Sequence, residues 1–182
     1  KPVPKMWNNS AITPGTVFME KLHYKILNWA KTKKIELIYS SCKTPSEGEH
    51  KLLQFIRDNV KEKKNFSYVM YGLDADLIFL CLSTNSDNMY LLREADQFDK
   101  KSNSGEFNYV SIDIMRYLIK NTLEDIAKDD DEMNNDVNLI SDNYINNIIN
   151  DFIFMCYLLG NDFLPHLPAL DIYTDGLDIL LK

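Results

Sequence analysis

Cysteine and histidine are scarce in this sequence, with three of each among 182 residues. The cysteines, Cys42, Cys81 and Cys156, stand far apart and form no CxxC pair, which argues against a disulfide framework. The histidines have no zinc-ligand spacing relative to them, so a structural zinc site is not predicted either. Three unpaired thiols are typical of a reducing compartment, and we therefore expect an intracellular protein of the cytoplasm or the nucleus.

Long apolar runs are also missing. The longest, Leu77–Leu82 and Phe152–Leu159, fall well short of the roughly 18 residues that a helix needs to cross a bilayer. The first ten residues contain no apolar signal-peptide core. We therefore predict no membrane partner. The chain opens without Met, and we expect it to be a portion of a larger protein.

A positive net charge is absent as well, since the formal charge is −7. This argues against nucleic-acid binding by net charge alone, because such binding depends on lysines and arginines that neutralise phosphates. It does not exclude a nucleic-acid enzyme, since carboxylates at a metal site count as negative until the ion binds. Part of the acidity lies in an Asp- and Asn-rich stretch, 124–143, which we predict to be a solvated loop or insertion.

The chain does contain 45% hydrophobic residues, grouped in runs with strand-like or helix-like spacing. The β-prone runs predict four strands: Ile35–Ser41, Tyr68–Leu73, Met89–Glu94 and Tyr109–Ile112. Helical spacing predicts helices over 17–29, 52–60, 114–123, 144–159 and 176–181, with a short helix after Leu73. The alternation of strands and helices predicts an α/β fold with a mainly parallel central sheet flanked by helices.

Two pairs of acidic residues each follow a predicted strand. Glu47 and Glu49 stand in TPSEGEHK at the start of a predicted helix, where the helix dipole favours acidic residues in any case. Taken alone, that ordinary interpretation is the preferred one for this pair. Asp74 and Asp76 stand in YGLDADL between two apolar runs. Asp74 could cap the helix that follows, which leaves Asp76 to be explained.

A fifth acidic residue, Asp162, stands in LLGNDFLPHLP after a helix that ends at Gly160. Its sequence neighbours are apolar, and a carboxylate enclosed by apolar side chains needs a partner. The alternative is a simple turn made by Asn161 and Asp162 after the helix.

The five carboxylates together point to a metal site. In open α/β sheets, functional residues gather at the carboxyl ends of the strands, so both pairs are expected at one edge. Converging carboxylates repel each other unless cations neutralise them, and hard oxygen ligands favour Mg²⁺ or Mn²⁺. Two such ions about 4 Å apart can activate water and hold a phosphodiester. The residues alone therefore predict a metal-dependent phosphoryl-transfer domain.

Five motifs extend this prediction: SAITPGTVFM, TPSEGEHKLLQFIR, YGLDADLIFLCLS, LLRE and DFIFMCYLLGNDFLPHLPALDI. In this order they resemble the 5′→3′ exoribonuclease family of the Xrn type. The resemblance implies a fold related to the PIN and flap-nuclease group and a site that holds two Mg²⁺ or Mn²⁺ ions. It also implies degradation of single-stranded RNA with a 5′-monophosphate to mononucleotides, as in mRNA turnover. Residues 1–182 would then be a portion of a single nuclease catalytic domain.

The resemblance also assigns roles to particular residues. The catalytic and metal-binding carboxylates would be Glu47, Glu49, Asp74, Asp76 and Asp162. His50 and Asn161 would either support these ligands or be purely structural. The family usually has glycine where this chain has Ser46; serine can still cap the helix there, and we expect little chemical consequence. In the family, further metal-binding aspartates and the pocket for the 5′-phosphate precede the region that this chain represents, so the isolated chain is expected to be inactive.

Two alternatives remain from the sequence. One is a nuclease-like module that binds RNA or acts as a scaffold without catalysis. The other is a related DNA flap nuclease, which the GNDFLPHLP block disfavours because it resembles the RNA enzymes.

Overall fold

A computed structural model describes residues 7–62, 65–95, 105–128, 142–170 and 172–181. The chain divides into two compact units, Lys1–Leu52 and Leu53–Lys182. In its described part, no helix combines the length and the apolar character that a bilayer crossing requires.

The first unit contains a short 3₁₀ turn, Asn9–Ile12, and the helix α1, Val17–Ala30. Thr16 caps α1, because its hydroxyl oxygen accepts a hydrogen bond from the amide of Met19 at 3.3 Å. The same hydroxyl donates to the carbonyl of Ala11 at 2.6 Å, which ties the preceding turn to the start of the helix. An extended stretch then leads to α2, Gly48–Lys61, whose first residues belong to this unit.

The strand predicted over Ile35–Ser41 is wrong. No strand is formed there, and no pairing with this segment occurs among the residues that the structure describes. Ile35 and Ile38 are 68% and 69% exposed. Strand propensity mainly measures how a side chain packs on paired neighbours, so an apolar β-branched run without a pairing partner remains merely extended.

The second unit is built on a three-stranded sheet with strands β1, Tyr68–Tyr71, β2, Met89–Glu94, and β3, Phe107–Ser111. The strands β1 and β2 are parallel, with Tyr68 opposite Met89, whereas β2 and β3 are antiparallel, with Leu91 opposite Val110. The sheet is therefore mixed, and the prediction of a mainly parallel sheet is corrected. The polar sequence between β2 and β3 has no helical periodicity, which a parallel crossover usually requires.

Four further helices accompany the sheet: α3, Asp76–Leu82, α4, Ile112–Lys128, α5, Asp142–Tyr157, and α6, Gly176–Leu181. The helix α4 covers the first five residues of the loop predicted over 124–143, and 129–141 lie outside the described residues. The core combines β1, β2 and the inner faces of α2 to α5. Its fully buried side chains are Cys81, Leu82, Met89, Leu91, Ile112 and Ile149.

Candidate acidic site

The aspartate pair, Asp74 and Asp76, lies where β1 leads into α3, at the carboxyl end of the strand as predicted. Asp74 accepts a hydrogen bond on Oδ1 from the amide of Asp76 at 3.0 Å. Asp74 thereby satisfies one of the amides that the start of α3 leaves without a helical partner, although Ala75 occupies the cap position itself. Asp76 is partly buried in the first turn of α3, where the helix dipole favours a negative charge.

Glycine at position 72 allows this loop to close tightly. A Cβ atom built at Gly72 would overlap the side chain of Leu77, which is buried in the core. The amide of Gly72 donates to the carbonyl of Leu92 at 3.3 Å, which continues the pairing of β1 with β2 by one residue. The strand end, the loop and the helix are therefore packed as one piece.

The neighbouring strand β2 ends at the same edge of the sheet. The Tyr71 hydroxyl donates to Oε1 of Glu94 at 2.7 Å across the two strands. This hydrogen bond to a carboxylate, aided by burial and by the Glu94 charge, raises the pKa of Tyr71, because the protonated phenol is the form that donates. Arg93, the residue before Glu94, is buried and donates to the carbonyl of Leu73.

Sequence reasoning missed Arg93. A signal was available in the alternation of β2, which places Met89, Leu91 and Arg93 on the buried face. An arginine in the third core-facing position departs from the apolar pattern of that face, and such a departure calls for a specific partner.

Asp162 lies on a tight turn after α5. Gly160 has a φ of +84°, and a Cβ atom at this position would lie 2.6 Å from the backbone nitrogen of His166, so only glycine fits. The Asn161 side-chain oxygen accepts hydrogen bonds from the amides of Phe163 at 2.9 Å and Leu164 at 2.7 Å. Asn161 therefore builds the turn that carries Asp162.

The apolar enclosure predicted around Asp162 is wrong on one side. Asp162 is exposed, and Phe163 and Leu164 are 61% and 50% exposed. The turn directs the two residues after Asp162 outward because Asn161 holds their amides. The exposed Asp162 carboxylate thus needs no buried partner, and its proposed role rests on the resemblance.

The end of α5 lies beside α3. The rings of Tyr157 and Phe79 have centroids 5.9 Å apart. Burial raises the pKa of Tyr157, and the Asp76 carboxylate raises it further, since a nearby negative charge opposes ionisation of the phenol. Asp76 and the helix that leads to Asp162 are therefore neighbours in the second unit.

The glutamate pair, Glu47 and Glu49, belongs to the first unit. Glu47 is exposed just before α2, with Oε2 3.9 Å from Nδ1 of His50. The Lys51 ammonium group donates to the carbonyls of Ser41 at 3.1 Å and Thr44 at 2.7 Å, and so it holds the loop that leads to Glu47. Glu49 is partly buried in the first turn of α2.

Ser46 has a backbone conformation that is unusual for serine. Its φ is +84°, in the left-handed region that favours glycine. Serine adopts this backbone at a cost of about 1–2 kcal/mol, because its Cβ atom is disfavoured there. The expectation of little chemical consequence stays a prediction.

Carboxylate oxygens suit a hard divalent cation such as Mg²⁺ or Mn²⁺. The described residues, however, do not bring enough of them together to form a complete site. Within the described parts of the chain, no group of three or more His, Cys, Asp or Glu side chains could hold a metal ion. Asp74 and Asp76 are adjacent, and Glu47 lies near His50. Glu47 and Glu49 belong to one unit and the three aspartates to the other. The convergence of all five carboxylates therefore stays a prediction.

Comparison with known proteins gives two family matches. A family model described as "XRN 5'-3' exonuclease N-terminus" matches residues 2–95, which include both acidic pairs. A second, described as "Xrn1 helical domain", matches residues 142–182, which include Asp162. The prediction that the whole chain is part of one domain is not tested by these matches.

Three relatives show the extent of the similarity. The chain is 36% identical to "5'-3' exoribonuclease 2" of Yarrowia lipolytica, over 98% of this chain and 18% of the relative. It is 35% identical to "5'-3' exoribonuclease 1" of Saccharomyces cerevisiae, over 100% of this chain and 12% of the relative. It is 34% identical to "5'-3' exoribonuclease 2" of Debaryomyces hansenii, over 98% of this chain and 20% of the relative. The chain thus spans a fifth or less of the length of these relatives.

Proposed function

The chain belongs to the XRN 5′-3′ exonuclease family, and on that premise we propose that the protein containing it is a metal-dependent 5′→3′ exoribonuclease. The substrate is single-stranded RNA with a 5′-monophosphate, which is hydrolysed to mononucleotides in RNA degradation and mRNA turnover. The observation that carries the proposal is the placement of Asp74 and Asp76 at the carboxyl end of β1, within the region that matches the family. A fold of the PIN and flap-nuclease type belongs to the same proposal.

The proposed ligands of two Mg²⁺ or Mn²⁺ ions are Glu47, Glu49, Asp74, Asp76 and Asp162. When bound, such ions would activate a water molecule and stabilise the oxygen that leaves the phosphodiester. The chain's own residues supply the placement. One oxygen of Asp74 is fixed by the Asp76 amide, which leaves the other oxygen of this carboxylate for a ligand. Asn161 fixes the turn of Asp162, and Lys51 fixes the loop before Glu47.

A second candidate function is a module that binds RNA or acts as a scaffold without hydrolysing it. The observation in its favour is that no three-ligand cluster forms within the described segments of the chain. The presence of all five carboxylates favours the enzyme, because a protein released from catalysis has no chemical need for them.

The test is an assay of RNA degradation by the full-length protein with 3′-labelled RNA that carries either a 5′-monophosphate or a 5′-hydroxyl. We expect the wild type to degrade the monophosphate substrate preferentially. Replacing both aspartates (Asp74→Asn and Asp76→Asn) should lower the rate by at least about a hundredfold, because the proposed metal ions would lose two of their carboxylate ligands.

The matched control is Asp58→Asn, since Asp58 is an exposed aspartate on α2 that pairs with Gln54 and Lys61. This control should keep the wild-type rate. Equal rates for the wild type and the double variant would contradict the assignment of the aspartates. RNA binding without degradation by the wild type would support the second candidate.

A further inference from the structure

Arg93 occupies a position in β2 where an aliphatic residue would be expected. Alternate residues of this strand face the core, and Met89, Leu91 and Arg93 are 0%, 0% and 5% exposed. Burial of a guanidinium group costs free energy unless hydrogen bonds satisfy it, and an apolar residue of similar volume often packs at lower cost. The charge at this position therefore calls for a role other than packing.

The structure shows what Arg93 holds. Its Nη2 donates a hydrogen bond to the carbonyl oxygen of Leu73, the residue directly before Asp74. The backbone pairing of β1 with β2 ends nearby, where the Gly72 amide donates to the Leu92 carbonyl. Arg93 therefore extends the connection between the two strands to the loop that carries the acidic pair. The planar guanidinium presents its donors in a fixed geometry, which suits it to hold a carbonyl in place.

The loop has a reason to need this restraint. Leu73 is 38% exposed, so its own packing fixes the backbone only in part. Asp74 and Asp76 are joined by a hydrogen bond between a side chain and an amide, which links them to each other. The contact from Arg93 links this local turn to the rigid sheet.

We propose that Arg93 is a positioning residue that sets the place of Asp74 and Asp76 by holding the carbonyl of Leu73. This inference rests on the proposed function for its catalytic meaning and deepens it. A displacement of about 1 Å in a catalytic group can lower a rate by roughly a hundredfold, so a residue that fixes the loop affects turnover without contacting the substrate.

The chain offers a matched control in Arg116 on α4. Arg116 is half-buried and donates to the carbonyl of Leu82 at 3.4 Å and to Oδ1 of Asn85 at 3.5 Å. These acceptors lie at the opposite end of α3 from the acidic pair. Arg116→Met therefore removes arginine contacts near the far end of α3, together with a hydrogen bond to Oδ1 of Asn146 in α5, without touching the loop.

The experiment is amide hydrogen exchange on the full-length protein as wild type, Arg93→Met, Arg93→Lys and Arg116→Met. The amide of Asp76, bonded to Asp74, and the amide of Ile78, bonded to the Ala75 carbonyl at 3.1 Å, report on the loop. The amide of Tyr68, bonded to the Asn88 carbonyl at 3.0 Å, is the reference at the far end of β1.

We expect Arg93→Met to speed exchange at Asp76 and Ile78 by roughly tenfold or more, since a charge-assisted hydrogen bond is lost, with Tyr68 unchanged. Arg93→Lys should give an intermediate effect, because lysine keeps the positive charge but lacks the planar guanidinium group with its fixed donors. Arg116→Met should leave amide exchange at Asp76 and Ile78 at the wild-type rate. If Arg93→Met does not fold, as faster exchange at Tyr68 would reveal, the lysine variant decides. Unchanged loop exchange in a folded Arg93 variant overturns the inference.

Turnover of RNA separates this inference from the proposed function. We expect Arg93→Met to lower kcat by about 10-fold to 100-fold with little change in KM, and Arg93→Lys to restore part of the loss. Arg116→Met should retain kcat. If the double variant of Asp74 and Asp76 is as active as the wild type, the assignment of the two aspartates fails, and exchange alone still decides whether Arg93 holds the loop. If that variant is inactive but Arg93→Met has normal exchange and kcat, only the positioning role fails.

Discussion

At the scale of the residue, Ser46 shows how one side chain alters the energetics of a predicted site. It holds the left-handed backbone just before Glu47, a conformation in which its Cβ atom is disfavoured. Strain of this kind is often found beside functional groups, where the surrounding structure maintains it. Here Lys51 supplies part of that surrounding structure through its two hydrogen bonds to the loop.

We predict that Ser46→Gly raises the free energy of unfolding by about 1 kcal/mol. Removal of the left-handed strain stabilises the fold, and the greater freedom of glycine in the unfolded chain offsets part of the gain. Urea unfolding measures the difference. Ser40→Gly is the matched control, since Ser40 is exposed and lacks the positive φ, and there the same change should destabilise by up to about 1 kcal/mol. If Ser46→Gly lowers the free energy of unfolding as much as Ser40→Gly does, the inference that the Ser46 backbone is strained is contradicted.

At the scale of the element, the core helices α3 and α5 determine how two thiols behave. Burial raises the pKa of Cys81 in α3 to about 12 and that of Cys156 in α5 to about 11, from an ordinary value of 9.0. Cys42 is partly exposed in the extended stretch of the first unit. Because the thiolate is the reactive form, the helices protect their cysteines from alkylation.

We predict that iodoacetamide at pH 8 modifies Cys42 first, Cys156 more slowly and Cys81 last, as followed by mass spectrometry of the folded protein. At that pH only about one Cys156 thiol in a thousand is ionised. Both buried thiols keep their protons to a higher pH when folded than when unfolded. The free energy of unfolding should therefore fall as pH rises above 9 toward 11. Equal alkylation rates for Cys81 and Cys42 would contradict this burial.

The elements also show what the sequence could and could not predict. The bounds of β2 and α6 were predicted correctly, because a short, largely apolar run preceded by polar residues marks each of them. Ile35–Ser41 failed as a strand because its apolar residues specify an extended backbone and do not supply a partner. The prediction of a mainly parallel sheet failed because the sequence between β2 and β3 carries no helical periodicity for a parallel crossover, and β3 pairs antiparallel to β2.

The candidate site divides in the same way. The place of Asp74 and Asp76 could be predicted, because a polar pair between two apolar runs marks the end of a strand. The surroundings of Asp162 could not, since apolar neighbours in sequence were directed outward by the Asn161 turn. Arg93 was missed because its role depends on a hydrogen bond to a loop twenty residues earlier, which no local pattern records.

At the scale of the whole molecule, the proposed function depends on residues from both compact units. The family match over residues 2–95 includes both acidic pairs, and these pairs lie in different units. The proposed two-metal function requires that Glu47 and Glu49 bind the same ions as Asp74 and Asp76. An Mg²⁺ ion is usually held by one or two carboxylates and several waters, so two ions call for more carboxylates than either pair supplies alone.

The most direct test of this claim is calorimetric titration of the full-length protein with Mn²⁺. We predict binding of about two ions in the wild type and in the control Asp58→Asn. This binding should be lost both when Asp74 and Asp76 are changed to asparagine and when Glu47 and Glu49 are changed to glutamine. Wild-type binding in the folded glutamine variant, or the absence of Mn²⁺ binding by the wild type itself, would contradict a shared metal site.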